Sequence, residues 1–206
     1  MAELVLVRHG QTEWSREGRH TGRTDVPLDE RGEWQARAVA PLLNDRRVAL
    51  ALTSPLRRAT RTALLAGLVD ARPDADLMEW DYGGYEGITT ARIQEDRPGW
   101  DLWADGVVPG DGQHPGETVD EVGARADRVL AAVADRLGDP SGGDVVVVAH
   151  GHLLRVLAVR RLGLPACAGS MFALATATLS SIGVEHGRPV VTAWNTRPPA
   201  PSESTP

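Results

Sequence analysis

Leu4-Val5-Leu6-Val7-Arg8-His9-Gly10 is the stretch on which the fold turns. Four consecutive apolar residues are too short for a buried helix and suit a strand covered on both faces. The run then breaks into Arg8 and His9, so the strand delivers polar groups at its carboxyl end. Far along the chain, Asp144 to Ala149 repeats the pattern with four consecutive Val, and it too ends in a polar cluster, His150-Gly151-His152. Parallel sheets bind ligands outside the carboxyl ends of their strands. Two separate stretches of sequence thus place a histidine where an α/β fold puts its site.

Working outward, residues 11–30 are rich in Gly, Thr, Arg and Asp and read as a long functional loop. Glu30 to Asp45 has helical spacing with Trp34, Ala38 and Leu42 on one face, and Val48 to Thr53 is a second apolar strand. Ser54-Pro55 reads as an N-cap with Pro at the first helical position, opening a helix to about Leu68. Residues 77–87 are turn-rich and carry Glu79 and Asp81, with the glycines at 83–87 serving geometry. Residues 88–116 are irregular with one short helix. Thr118 to Leu137 is helical (Val119, Val122, Ala126, Val129, Val133), as is Leu153 to Leu162. Residues 173–194 read as a hairpin turning at Glu185 to Gly187. From Arg197 on, Pro and Ser dominate, which predicts a disordered tail over 197–206. Strands alternating with helices predict one α/β domain over 1–196 with a mostly parallel sheet.

The 206 residues are 42% hydrophobic and 24% charged, enough for a real core. A net charge of −6 argues against nucleic-acid or anionic-membrane partners. All 22 basic side chains are Arg, so an anion site must use Arg forks, His or backbone N–H groups, and a Lys-dependent phosphate loop is excluded. Cys167 is the only cysteine, which leaves no intrachain disulfide and no cysteine zinc cluster. With no leader-like start and no apolar run near the ~20 residues needed to span a bilayer, the expected compartment is the cytoplasm.

Alone, Arg8-His9-Gly10 is a weak motif. Its force comes from accumulation: Arg8, His9, Thr12, Ser15, Thr21 and Gly22 after the first strand, Ser54, Arg57 and Arg58 after the second, then Glu79, then His150 and His152. These residue types meet the needs of phosphoryl transfer through histidine. Guanidinium forks neutralise a phosphate dianion, and short hydroxyls and backbone N–H groups complete its shell. Flanking guanidiniums disfavour the protonated imidazole and so preserve a nucleophilic lone pair. A phosphohistidine splits one hard displacement into two, and a carboxylic acid can protonate the leaving alkoxide.

At this point the chain resembles the histidine phosphatase superfamily, also called phosphoglycerate-mutase-like, over roughly residues 4–194. Leu6 to Trp14 matches its opening signature, continued by Thr21-Gly22 and Asp25-Val26-Pro27-Leu28. Ser54 to Ala59 resembles its second arginine motif, Leu77-Met78-Glu79 with Gly84-Tyr85-Glu86-Gly87 its acid segment, and Ala149 to His152 its second histidine motif. The resemblance implies a three-layer αβα sandwich with a mostly parallel sheet. It also implies a metal-independent hydrolase without a cofactor, acting on a small phosphorylated metabolite. His9 would be the nucleophile and Glu79 the general acid/base. Arg8, Arg58 and His150 would bind the phosphoryl oxygens. Ser15, Thr21, Gly22, Tyr82, Gly151 and His152 would orient the substrate. Ser15 stands where the family often has Asn, and Asp81 lies close enough to compete with Glu79 as the acid.

The segment Glu79 to Gly87 is similar to a subgroup containing mycobacterial broad-specificity acid phosphatases and fungal sedoheptulose-bisphosphatase-like enzymes. His152 stands where the mutase branch carries Asn, and the stretch between Glu79 and His150 carries Arg92, Arg97, Arg125 and Arg128 but no tight basic pair, so water rather than a second substrate is the expected acceptor. A cofactor-dependent phosphoglycerate mutase is the alternative. Two others stay open. His9, His150, His152, Glu79 and Asp81 could ligate a metal, against which Arg8 and Arg58 stand, and the fold could serve a non-catalytic phospho-ligand-binding module. Trp100 and Trp103 read equally as a lid or as packing, and His20 and His114 receive no role. A homodimer is the working expectation for the assembly.

Overall fold

The computed structural model describes residues 2–139 and 142–198. Its frame is a six-stranded sheet of β1 (Leu4–Arg8), β2 (Val48–Thr53), β3 (Arg72–Pro73), β4 (Asp144–Ala149), β5 (Leu179–Glu185) and β6 (Arg188–Thr196). The strand order is β3-β2-β4-β1-β5-β6. The first four strands in this order run parallel, β5 pairs antiparallel with β1, and β6 pairs antiparallel with β5. Residues 4–7 and the whole of β4 are buried. Alternate residues feed two cores, as the two-residue period of a strand requires. Leu4, Leu6, Val145 and Val147 pack under α6 (Val119–Gly138) and α7 (Gly151–Arg161). Val5, Val7, Val146 and Val148 pack under α2 (Glu30–Leu43) and α3 (Arg57–Leu65). Helices therefore cover both faces, giving the expected three-layer αβα sandwich.

Several expectations shift in detail. The 11–30 loop contains a short helix, α1 (Glu13–Glu17), started by a capping box between Thr12 and Ser15. In α2 the period is right but the phase is not: Gly32, Ala36, Val39 and Leu43 face the core, and Trp34 is 44% exposed. Ser54-Pro55 does not open α3, which begins at Arg57 after Leu56 and ends at Leu65. The Ser54 hydroxyl is drawn into the molecule instead, as described below. The irregular stretch holds two short helices, α4 (Thr90–Asp96) and α5 (Leu102–Asp105). α6 starts on a capping box between Thr118 and Glu121, and α7 begins two residues before Leu153, immediately after His150. The hairpin turns at His186-Gly187 between β5 and β6. From residue 199 the predicted tail lies outside the described residues. No described helix is long and apolar enough to cross a membrane.

The strand order positions the site. β1 and β4 are neighbours in parallel register, with Arg8 opposite Ala149. The next residues, His9 and His150, therefore leave the sheet side by side at the same edge.

Candidate active site

The His9 N–H still donates to the Ala149 carbonyl at 2.9 Å, so its backbone is an extension of the sheet. A Cβ on Gly10 would lie 2.3 Å from the Gly32 carbonyl oxygen. Only glycine lets the start of α2 come this close to the nucleophile segment. His9 Nδ1 lies 2.7 Å from the Gly10 carbonyl oxygen. A carbonyl can only accept, so Nδ1 carries the ring proton and Nε2 keeps its lone pair. Among the described residues Nε2 has no partner, and His9 lines a cavity of about 360 Å³. Burial, reinforced by Arg58 and Arg8, holds the imidazole pKa well below its ordinary value.

Behind His9 sits His150, fully buried, with ring centroids 5.2 Å apart. Arg58 Nε donates to His150 Nδ1 at 3.1 Å. Nδ1 must then accept, so Nε2 carries the proton and donates to the Ser54 hydroxyl at 2.7 Å. Burial, with Arg58 next, also pushes the His150 pKa well down. The rest of the buried Arg58 guanidinium binds the carbonyls of Thr24, Thr21 and Gly22 at 2.8–3.1 Å. It thus ties loop 21–24 to His150. Neither Arg58 nor His150 lines the cavity.

Arg8 does line it. Its Nη1 donates to the Leu174 carbonyl at 2.5 Å, while its Nε is buried with no protein partner. A Cβ on Gly151 would meet that guanidinium at 3.2 Å, so glycine there leaves Arg8 room beside the start of α7. An orphaned guanidinium donor beside a free imidazole nitrogen fits an anion.

Glu79 is held by the amino end of α7. Its Oε1 accepts from the Leu153 N–H at 2.9 Å and the Trp80 N–H at 2.9 Å, and its Oε2 from the His152 N–H at 3.1 Å. The N-cap residue His150 offers no side-chain cap, so Glu79 supplies it from a distant segment. The carboxylate faces the cavity. Asp81 does not: its Oδ1 accepts the Gly83 N–H at 2.9 Å within its own turn.

Tyr82 Oη lies 2.6 Å from His152 Nδ1. Burial raises the phenol pKa well above its ordinary value and, with Arg155, lowers that of the imidazole. Both groups are therefore neutral, and one hydrogen bond joins them. Both residues line the cavity.

Ser15 and Thr21 also line it, but their hydroxyls are engaged locally. Ser15 Oγ lies in the α1 capping box, and Thr21 Oγ1 donates to the Arg19 carbonyl at 3.2 Å. Gly22 is turned away, its N–H held by the Glu86 carboxylate at 2.9 Å. Three residues outside the predicted catalytic and substrate-binding set belong to the site. Ser54 fixes the His150 tautomer, Trp103 lines the wall, and His20 lines the cavity with its ring packed on Tyr82 and Trp100. Its position immediately before Thr21-Gly22 was the available signal for His20. Among the described residues no group of three or more His, Cys, Asp or Glu is arranged to hold a metal ion.

A doubly covered, mostly parallel sheet with a buried neutral imidazole and an unpaired arginine donor at its carboxyl edge defines a class of α/β proteins built around an anion. The chain belongs to the histidine phosphatase superfamily (branch 1), whose model matches residues 4–197. It is 42% identical to an acid phosphatase of Mycobacterium tuberculosis, over 89% of this chain and 87% of that protein. It is 35% identical to the sedoheptulose 1,7-bisphosphatase of Saccharomyces cerevisiae, over 78% of this chain and 67% of that one. Among solved structures, it is similar to a mycobacterial glucosyl-3-phosphoglycerate phosphatase complexed with VO3, at a TM-score of 0.82 and 32% identity, over 95% of this chain and 100% of that one.

Proposed function

We propose that this protein hydrolyses small phosphate monoesters, sugar phosphates or similar metabolites, through a phosphohistidine on His9. The observation that carries the reading is His9 Nε2, an unprotonated and unpartnered ring nitrogen facing the cavity. In the first step the Nε2 lone pair forms a bond to phosphorus and the ester P–O bond breaks. The leaving alkoxide takes a proton from Glu79, whose Oε2 accepts one N–H where Oε1 accepts two, so Oε2 is the oxygen with room for it. In the second step water attacks phosphorus, its proton passes to Glu79, and the N–P bond breaks to release phosphate.

Arg8 Nε supplies a donor to the phosphoryl oxygens, as does His152 Nε2 when the Tyr82 phenol is the donor of their shared hydrogen bond. Arg58 and His150 act from behind the nucleophile, holding it neutral and fixing loop 21–24. The cytoplasm is the compartment proposed, since Cys167 is a free, exposed thiol, which suits a reducing environment.

The test is hydrolysis of p-nitrophenyl phosphate in the presence of a chelator, with rapid quenching of enzyme exposed to 32P-labelled ester. Chelator-resistant turnover is expected, together with an acid-labile, base-stable label that is absent in His9→Ala. Full activity in His9→Ala, or a chelator-sensitive rate, would refute it.

A further inference from the structure

The groups that act on phosphorus occupy only part of the cavity. The remaining lining includes His20, Gln94, Trp100, Asp101 and Trp103. His20 is clamped to residues 87–88 by its own backbone, with bonds of 3.0 and 2.8 Å to Ile88 and Gly87. Its Nδ1 lies 2.7 Å from the Ile88 carbonyl oxygen, so Nδ1 carries the proton and Nε2 is an acceptor. The ring is held edge-on against Tyr82 at 4.9 Å and Trp100 at 5.6 Å. Gln94 Nε2 gives one N–H to the Trp100 carbonyl at 2.9 Å, which leaves its Oε1 and one N–H. Asp101 Oδ1 takes the Trp103 and Ala104 N–H groups at the start of α5, which leaves its Oδ2. The cation on this lining, Arg19, is paired with Glu17 at 2.8 Å. Three acceptors and an aromatic wall, with Asp101 as the anion among them and Arg155 as its electrostatic partner, thus share the cavity with His9.

From this arrangement we infer that the subsite takes a neutral or cationic leaving group bearing hydroxyl or amino donors, and discriminates against esters carrying a second anion, whether carboxylate or phosphate. The inference deepens the proposed hydrolysis and rests on it. A polyol gives its hydroxyl protons to His20 Nε2, Gln94 Oε1 and Asp101 Oδ2. A carboxylate in the same place meets the His20 Nε2 lone pair and the like charge of Asp101, the repulsive element by which a site rejects a wrong partner.

The experiment compares kcat/KM for glycerol 1-phosphate and 3-phosphoglycerate, two esters of one size that differ in a hydroxymethyl against a carboxylate. p-Nitrophenyl phosphate serves as a monitor of the chemistry. The wild-type protein is expected to prefer the neutral ester by about tenfold or more. Asp101→Asn keeps the helix cap, since Asn caps as well as Asp, and removes the charge. It is expected to raise kcat/KM for 3-phosphoglycerate and narrow the preference by about threefold or more. A wild-type preference for the anionic ester, no preference, or an unchanged ratio in Asp101→Asn overturns the inference. Absence of turnover on p-nitrophenyl phosphate itself would instead remove the hydrolase reading on which it stands.

Discussion

At the residue scale the site is a set of tautomers, each imposed by one partner. The Gly10 carbonyl keeps the His9 proton on Nδ1, and the Arg58 N–H keeps the His150 proton on Nε2. Ser54 closes the His150 pair, and losing its oxygen strands a buried ring N–H. Ser54→Ala is expected to cost about 1–3 kcal/mol of stability, the penalty for a buried donor left unmade. Urea unfolding reads this, and a midpoint equal to wild type would show that the ring finds another acceptor. The placement of His9, Arg8 and Glu79 on one cavity could be read from sequence because each sits in a short motif whose neighbours point to one site. Ser54 and His20 could not, because their roles come from partners 96 and 68 residues away. No local pattern encodes such pairings. Nor could local sequence separate Glu79 from Asp81, two carboxylates one residue apart, of which the turn at Gly83 keeps Asp81 for itself.

At the scale of elements, the sheet was legible because β1 and β4 are buried on both faces and must be apolar throughout. Boundaries were less so. The start of α3 moved because the Ser54 hydroxyl serves His150 rather than its own helix. The phase of α2 moved because Gly32, not Trp34, meets the His9 segment, where a Cβ would lie 1.9 Å from the Gln11 carbonyl oxygen. Tertiary contacts outweighed local preference in both cases. Helix starts then divide into two kinds with different consequences. α6 is capped by its own Thr118, remote from the cavity that His9 lines, so Thr118→Ala should cost about 1 kcal/mol and leave kcat intact. α7 is capped by Glu79, the proposed acid. Glu79→Gln should cost about 1 kcal/mol or more through lost charge at the helix end, and slow esters with poor leaving groups far more than p-nitrophenyl phosphate. Denaturant melts paired with turnover of two such esters separate the kinds. Equal loss of activity in both variants would show that the cap and the acid are not one group.

Across the whole molecule, three imidazoles are buried around one cavity and each is held neutral, with pKa values well below the ordinary range, chiefly by burial and then by Arg58 for His9 and His150 and by Arg155 for His152. In the unfolded chain each returns to about 6.5. Between that value and its lower native one, the unfolded state binds protons that the native state refuses, so stability rises with pH there and is lost as pH falls below about 6.5. Three such groups give a slope of up to about 4 kcal/mol per pH unit, steep against the 5–15 kcal/mol that typically holds a domain together. Asp76, held low mainly by its hydrogen bond from Arg128, adds its own loss only below the ordinary carboxylate range. The consequence concerns activity as much as folding. His9 stays nucleophilic on the acid side, because its lone pair is not protonated until well below 6.5, so the loss of turnover in acid is expected to follow unfolding rather than titration of the nucleophile. Thermal midpoints should be level above pH 7 and drop steeply toward pH 5. Initial rates taken before unfolding should persist where long incubations fail. His150→Gln, with one imidazole fewer, should show a shallower descent by about 1.4 kcal/mol per pH unit. Midpoints that stay level down to pH 5, or initial rates that collapse near 6.5 while the fold remains intact, would mean that these rings accept protons in the native state and that the neutral nucleophile is wrong.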